Sequence, residues 1–455
     1  MRNILIIGAG RSATSLIRYL IEKSSAENLH ITIGDISIES AQKLTKNHLN
    51  ATGILLDVFN KKQREEAVKA SDIVISMLPA RFHIEVAKDC ITFEKNLVTA
   101  SYISDEMQSL SEEVIDKGLV FMNEIGVDPG IDHMSAMQVI DTIRSKGGNV
   151  VLFESFTGGL IAPESDDNLW NYKFTWNPRN VVLAGQGGAA EFLQEGLYKY
   201  IPYNRLFRRT ELIKIKGHGE FEVYANRNSL KYQKVYGFKD ILTLYRGTIR
   251  RVGFSRAWNI FVQLGMTDDS YTIPNSEKLS YREYVNLFLP YSPTDSIELK
   301  LRHSLKIDQD DLIWKKLKEI DLFNGKKYLE IKNATPAQAL QKILMEKWAL
   351  AKEDKDMIVM YHKFGYELNG KNYQIDSSMV TIGEDQTYTA MSKTVGLPVA
   401  IAALQILNKK ITTPGVLRPI DKEVYKPILE ELETYGVQFN EEKKEYLGYN
   451  PDNLN

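Results

Sequence analysis

A carboxylate, a proline and a glycine stand in direct succession at Asp128-Pro129-Gly130. They lie inside Asn123-Glu-Ile-Gly-Val-Asp-Pro-Gly-Ile-Asp-His133, after the apolar run Gly118-Leu-Val-Phe-Met122 and before a helix-like run beginning near Met134. Proline fixes φ, glycine permits φ > 0, and aspartate hydrogen-bonds nearby backbone, so the segment reads as a tight turn. Such a turn leaves a strand with amide donors and a carboxylate exposed, which suits a ligand site. A plain tight connection is the other reading of the same residues. His133, just past the turn, is either a proton carrier or a group that satisfies neighbouring backbone.

A second constellation opens the chain. Asn3-Ile-Leu-Ile-Ile7 is a continuous apolar run, the pattern of a strand buried on both faces. Gly8-Ala9-Gly10-Arg11-Ser12-Ala13 follows, and the helical positions Leu16, Ile17, Leu20 and Ile21 come next. This is G-x-G-x-x-A between strand and helix, a dinucleotide-binding turn in which a pyrophosphate meets the helix N-terminus. The next strand, Leu29-His-Ile-Thr-Ile-Gly-Asp35, ends in a carboxylate about 20 residues past the glycines, where an acid accepts from the adenosine ribose and repels a 2′-phosphate. Ile36-Ser-Ile-Glu-Ser40 brings no Arg, which argues for NAD over NADP. A helix N-cap at Asp35 is compatible with the same geometry.

The elements that must position these residues are legible as a series. Strand-like runs recur at Thr52–Asp57, Asp72–Leu78, Asn96–Ser101 and Gly118–Met122, separated by helix-length stretches. Short apolar strands alternating with helices predict an α/β fold, a Rossmann doubly wound parallel sheet. Its carboxyl ends would gather Asp57, Leu78-Pro79, Ser101-Tyr102 and Val127-Asp128 along one edge, where such sheets bind ligands. Bulk properties fit a soluble enzyme: 455 residues, a net charge of −2 and a single cysteine, Cys90. The near-balanced charge gives no basic face for nucleic acid, and a single cysteine allows no intrachain disulfide and no cysteine cluster for zinc. The N-terminal apolar run is too short for a signal, and no uninterrupted apolar window of about 18 residues is present. A cytoplasmic protein with no membrane partner and no metal is the expectation.

Beyond residue 150 the strand-like runs alternate more and helices are fewer: 149–156, 211–216, 220–224 and 242–249. These predict a second α+β domain for substrate binding and dimerisation over 128–274 and 356–390, following the dinucleotide-binding domain at 1–127. Asn369-Gly370 between two such runs predicts a hairpin. Residues 275–355 read as a helical insertion, with Thr335-Pro336 opening a helix to about Ala351. Residues 391–455 read as a return to the first domain. Gly158-Gly-Leu-Ile-Ala-Pro-Glu-Ser-Asp-Asp-Asn168 reads as a Gly/Pro loop at a strand end. With Tyr172-Lys-Phe-Thr-Trp176, Asn226-Arg227-Asn228 and Arg246-Gly247-Thr248, it suggests a pocket for an anionic substrate with several carboxylates. Surface charge and turn chemistry are the competing account of each Arg taken singly.

The segments Leu97–Ile103, Glu124–His133, Gly158–Glu164, Tyr172–Trp176, Asn226–Ser229, Arg246–Thr248 and Thr394–Pro398 together resemble the glutamate-forming saccharopine dehydrogenases, or saccharopine reductases, over nearly the whole chain. That resemblance implies a homodimer and a reversible reaction: saccharopine, NAD and water give L-glutamate, 2-aminoadipate 6-semialdehyde and NADH. Position by position it implies that Ser101, Tyr102, Asp128, Arg227, Arg246, Gly247 and Thr248 meet the substrate. Gly8, Gly10, Arg11, Ser12, Ala13, Asp35, Asp57, Val58, Leu78, Val127, Asp128, Pro129 and Thr175 would hold the dinucleotide. Tyr102 and Asp128, then His133, are the candidate proton carriers. Two departures stand out: Thr157 where many relatives carry Cys, and Ile161 where Pro is usual.

Three functions follow for comparison. The first is the NAD-linked saccharopine enzyme, with an NADP-linked reductase as its variant. The second is an oxidoreductase on another amino-acid or polyamine adduct, like the carboxynorspermidine synthases; Arg227 favours a glutamate arm over a polyamine arm. The third is a non-catalytic dinucleotide-binding sensor, which would need only the first 130 or so residues.

Overall fold

The computed structural model describes residues 1–446, so 447–455, the end of the expected C-terminal return, lie outside the described residues. Packing divides the described residues into two units, Met1–Asn149 with Met379–Asn440 and Val150–Ser378 with 441–446, so the expected C-terminal return ends at Asn440. The first boundary therefore falls after the helix Ile131–Ser145, not at residue 127. That helix packs on the helix Lys422–Thr434 and belongs with the first unit.

In the first unit, β1 (Arg2–Ile7), β2 (Leu29–Asp35), β3 (Ala51–Leu55), β4 (Ile73–Ser76), β5 (Asn96–Val98) and β6 (Val120–Met122) are joined by a late strand, Gly415–Leu417. The order of the seven-stranded sheet is Gly415–Leu417, β6, β5, β4, β1, β2, β3, and every pairing is parallel. Ile4, Leu5, Ile6 and Ile7 are all buried, the mark of a strand covered on both faces. Strand order reverses between β1 and β4, and the loops after those strands carry the Gly turn and Leu78-Pro79.

The helix Ala390–Leu407 covers this sheet. By length and composition it is apolar enough to cross a membrane, although the apolar run is interrupted by Ser392, Lys393 and Thr394. Its own burial accounts for that composition: 78% of it is inside the protein, against the first helix (Thr14–Lys23) and the turn before it. Ser392 Oγ and Ser15 Oγ share a buried hydrogen bond of 2.7 Å, and Thr14 Oγ1 donates to the Thr387 carbonyl at 2.7 Å. Gly396 allows the close approach, because a Cβ there would stand 2.9 Å from the Leu16 nitrogen and 3.1 Å from the Ser12 carbonyl oxygen.

The second unit is built on a nine-stranded sheet. Along its main path run Glu211–Ile215, Gly219–Ala225, Thr243–Arg251, Asn149–Ile161, Asp356–Leu368, Lys371–Ile382 and Asn440–Lys444, and a hairpin of Ala190–Gln194 and Leu197–Ile201 joins at Thr243–Arg251. The Gly158-Gly159 pair is not the loop expected but part of the long strand Asn149–Ile161. The Ile249 backbone of the adjacent strand comes within 2.4 Å of where a Gly158 Cβ would sit, so only glycine lets the ladder continue. Asn369 and Gly370 both have positive φ (54° and 71°), as a two-residue hairpin turn of the primed type requires. The intervening helices include Pro336–Trp348, opened by a Thr335/Gln338 capping box and ended three residues before Ala351, where Ala349 turns extended.

Gly396→Ala is expected to lower unfolding free energy by about 1–3 kcal/mol, the usual cost of overpacking a tight core. Urea unfolding reads this directly; an unchanged midpoint would show that the helix can shift away from the Gly turn freely.

Candidate active site

The loop after β6 is held by its own backbone hydrogen bonds. Gly126 N–H donates to the Pro129 carbonyl at 2.8 Å, Ile131 N–H to the Gly126 carbonyl at 2.8 Å, and Gly130 N–H to Asp132 Oδ1 at 2.6 Å. The Asp128–Pro129 peptide is cis. Gly130 sits at φ 146°, and a Cβ there would lie 2.1 Å from the Gly126 carbonyl oxygen, so no other residue fits. The loop presents Asp128, half-buried, to Tyr102, whose exposed hydroxyl donates to Asp128 Oδ1 at 3.2 Å.

Beneath that pair lies Glu124, 2% exposed and at φ 53°, a left-handed backbone unusual outside glycine. Its Oε1 accepts from Arg418 Nε at 2.9 Å and from Ile103 N–H at 3.1 Å, and its Oε2 meets His133 Nε2 at 3.0 Å. Burial alone would push this carboxyl up; His133, Arg418 and the Ile103 amide outweigh it and bring it down to about 2. His133, the third candidate proton carrier, is wholly buried with Nε2 against Glu124, the placement of a side chain that props the loop. Arg418, 294 residues from Glu124, was not anticipated.

Ser101 has a second support that sequence reading missed. His83 Nε2 lies 2.7 Å from Ser101 Oγ, while His83 Nδ1 lies 2.8 Å from Ser76 Oγ at the end of β4. Burial holds the His83 imidazole down at about 4. A lone His opening a helix carries no pattern; its signal was only that Ser76 ends β4 and Ser101 lies just past β5, neighbouring strands of one sheet.

The Gly turn fits a dinucleotide. Gly10 is exposed, and a Cβ built on it would meet nothing within 4 Å, so the space in front of the turn is clear. Ala13 is buried, Ser12 half-buried and Arg11 exposed at the start of the helical segment. Asp35 Oδ2 accepts from Ala9 N–H at 2.7 Å and Oδ1 from Ser37 N–H at 2.9 Å, so the carboxylate ending β2 is tied to the Gly turn. The N-cap of the following helix is Ser37, not Asp35. Asp57 folds onto Phe59 N–H at 2.9 Å with Val58 half-buried beside it, and Leu78 lies in the loop after β4. Val127 is buried in the Asp128 loop.

The second unit holds the remaining candidates on or beside the strand Thr243–Arg251. Thr248 Oγ1 donates to Asn226 Oδ1 at 2.8 Å, and Arg246 is buried with its guanidinium 4.1 Å from the Tyr232 ring centre. Gly247 packs where a Cβ would be 2.5 Å from Val223. Thr157 pairs with Thr248 in parallel register, and the buried Oγ1 atoms of Thr157 and Thr175 have no hydrogen-bond partner among the described residues. Arg227, expected to clamp a carboxylate, donates through Nη2 to the Ala184 carbonyl at 2.8 Å and also to the Gln186 carbonyl. That guanidinium is thus partly committed to closing the loop after the helix Pro178–Leu183.

Residues 4–122 match the family model "Saccharopine dehydrogenase NADP binding domain" and residues 126–437 match "Saccharopine dehydrogenase C-terminal domain". The chain belongs to the saccharopine dehydrogenase family. It is 33% identical over 452 residues to a Schizosaccharomyces pombe protein named saccharopine dehydrogenase [NADP(+), L-glutamate-forming], covering 97% of this chain and 99% of that one. It is also 33% identical to mouse mitochondrial alpha-aminoadipic semialdehyde synthase, of which it spans 47%, about half the length of that longer relative. The solved apo saccharopine dehydrogenase (L-Glu forming) of Saccharomyces cerevisiae superposes with a TM-score of 0.88 at 31% identity, covering 98% of this chain and all of that one. The doubly wound parallel sheet and second sheet are thus those of a saccharopine dehydrogenase.

The Glu124 cluster makes a pH-dependent prediction. A carboxyl held below its ordinary 4.5 stabilises the fold above that value and loses the contribution as pH falls toward about 2. Glu124→Gln leaves His133 and Arg418 without their anion and is expected to cost about 3 kcal/mol or more near pH 7. The gap from wild type should narrow as pH drops from 5 to 3 in chemical denaturation. A gap independent of pH would mean that the Glu124 charge contributes nothing.

Proposed function

We propose that the protein is an oxidoreductase that converts saccharopine and water to L-glutamate and 2-aminoadipate 6-semialdehyde, reversibly, with NAD. The observation that carries this reading is the Tyr102–Asp128 pair at the carboxyl edge of a dinucleotide-binding sheet, in a chain that aligns end to end with a relative named for that reaction. A bound nicotinamide supplies the hydride acceptor that no side chain can be. The chain's own residues then manage water and protons. Oxidation at the carbon beside the secondary amine leaves a C=N bond, water adds there, and the departing glutamate nitrogen takes up a proton. Tyr102 can pass a proton through its hydroxyl while Asp128 accepts one, both within one hydrogen bond of each other. Thr157 carries no thiol, so no cysteine is needed in this scheme.

The choice of NAD rests on Asp35. The S. pombe relative's name specifies NADP(+), and the matching family model is named for NADP. Here, however, a carboxylate is hydrogen-bonded to the Gly turn itself, where a 2′-phosphate would meet like charge, and residues 36–40 offer no cation.

Saccharopine-dependent reduction of each cofactor, followed by absorbance, is expected to favour NAD over NADP by about tenfold or more in kcat/KM, and Asp35→Ala to erase most of that preference. Preference for NADP would keep the enzyme and remove the Asp35 argument; no turnover with either would remove the substrate. Tyr102→Phe is expected to lower kcat roughly 10²-fold while leaving NADH affinity intact, as loss of an acid–base group does. A kcat within twofold of wild type would exclude the hydroxyl from proton transfer.

A further inference from the structure

We infer that His83 is a positioning residue for Ser101, acting as a neutral imidazole whose Nε2–H is donated to Ser101 Oγ so that the serine proton is turned toward substrate. This rests on the reading above, in which Ser101 meets saccharopine.

The geometry is a relay between the end of β4 and the loop after β5. His83, Ser76 and Thr99 are buried, and Ser101 is half-buried. The imidazole spans from Ser76 Oγ (2.8 Å from Nδ1) to Ser101 Oγ (2.7 Å from Nε2), with Thr99 Oγ1 farther off at 3.3 Å from Nε2. The Ser101 backbone is fixed as well: its N–H donates to Thr99 Oγ1 at 3.3 Å, and its carbonyl accepts from Glu124 N–H at 3.0 Å. What remains adjustable at Ser101 is the direction of one hydroxyl proton.

Its direction follows from the tautomer. Burial lowers the His83 pKa to about 4, with no contribution from any charged side chain, so the ring is neutral across the working range. A neutral imidazole has one donor and one acceptor nitrogen. Ser76 Oγ is buried with no other hydrogen bond among the described residues, so its proton goes to Nδ1. Thr99 competes to donate to Nε2, but the 2.8 Å contact outranks the 3.3 Å one. Nε2 then carries the hydrogen and gives it to Ser101. The serine is left as an outward donor, suited to an oxygen of a tricarboxylate substrate.

The test compares wild type with His83→Gln and His83→Leu, each also in a Ser101→Ala background. Glutamine keeps an N–H near the Nε2 position; leucine keeps only bulk. Leucine is expected to lower kcat/KM for saccharopine about tenfold with NADH affinity unchanged, and glutamine to recover most of it. In the Ser101→Ala background the leucine penalty should vanish, and the glutamine variant should keep the wild-type pH profile. Nitrogen-15 NMR of the wild-type ring should report the Nε2–H tautomer. The inference is overturned by the Nδ1–H tautomer, by a lost limb in the glutamine pH profile, or by a leucine penalty that persists without Ser101. An unchanged leucine variant overturns it too. Should wild type fail to turn over saccharopine, the functional reading falls, and the tautomer, which needs no substrate, still decides this inference.

Discussion

The buried Glu124 carboxylate is the interaction on which the rest of the site depends. One side chain joins Ile103, next to Ser101-Tyr102, to His133 behind the Asp128 loop and to Arg418 beyond the last strand of the sheet. Burying a carboxylate is expensive, and it persists only when cations and N–H groups compensate it. Here they more than compensate, which is why the group stays ionised. The consequence for chemistry is geometric. Tyr102 and Asp128 belong to different loops, and the hydrogen bond between them requires both loops to be held from below.

The same logic runs along the sheet edge. Gly130 lets the Asp128 loop close on Gly126, the Gly turn is backed by the helix Ala390–Leu407, and Asp35 is drawn onto that turn by the Ala9 amide. The Asp128 loop, Ser101 and the Gly turn, which the proposed function uses, each rest on a buried polar or close-packed support. The supports are drawn from residues as far along the chain as 392 and 418, so the C-terminal segment is part of how the first unit works.

Much of this was legible from residue types. Parallel strands covered on both faces are continuous apolar runs, so β1 to β6 could be placed within a few residues, and G-x-G-x-x-A and Asp128-Pro-Gly carry their backbone requirements openly. What escaped is what depends on distance in sequence. The strand Gly415–Leu417 is only three residues long and reads as nothing without β6 beside it. Arg418 and His83 have no local pattern. Gly158-Gly159 misled because glycine marks both a loop and a close approach of strands, and only the neighbouring strand tells which. Arg227 was assigned by residue type and family resemblance, neither of which shows that part of its hydrogen-bonding capacity goes to backbone carbonyls.

The central claim is that this site oxidises the carbon on the lysine-derived side of the secondary amine, so that glutamate leaves. Saccharopine carrying deuterium on that ε-carbon should be turned over in the presence of NAD and the reduced cofactor examined by mass spectrometry. The account predicts deuterium on the nicotinamide and glutamate released with its α-hydrogen intact. Deuterium retained in released lysine, with 2-oxoglutarate as the other product, would contradict it.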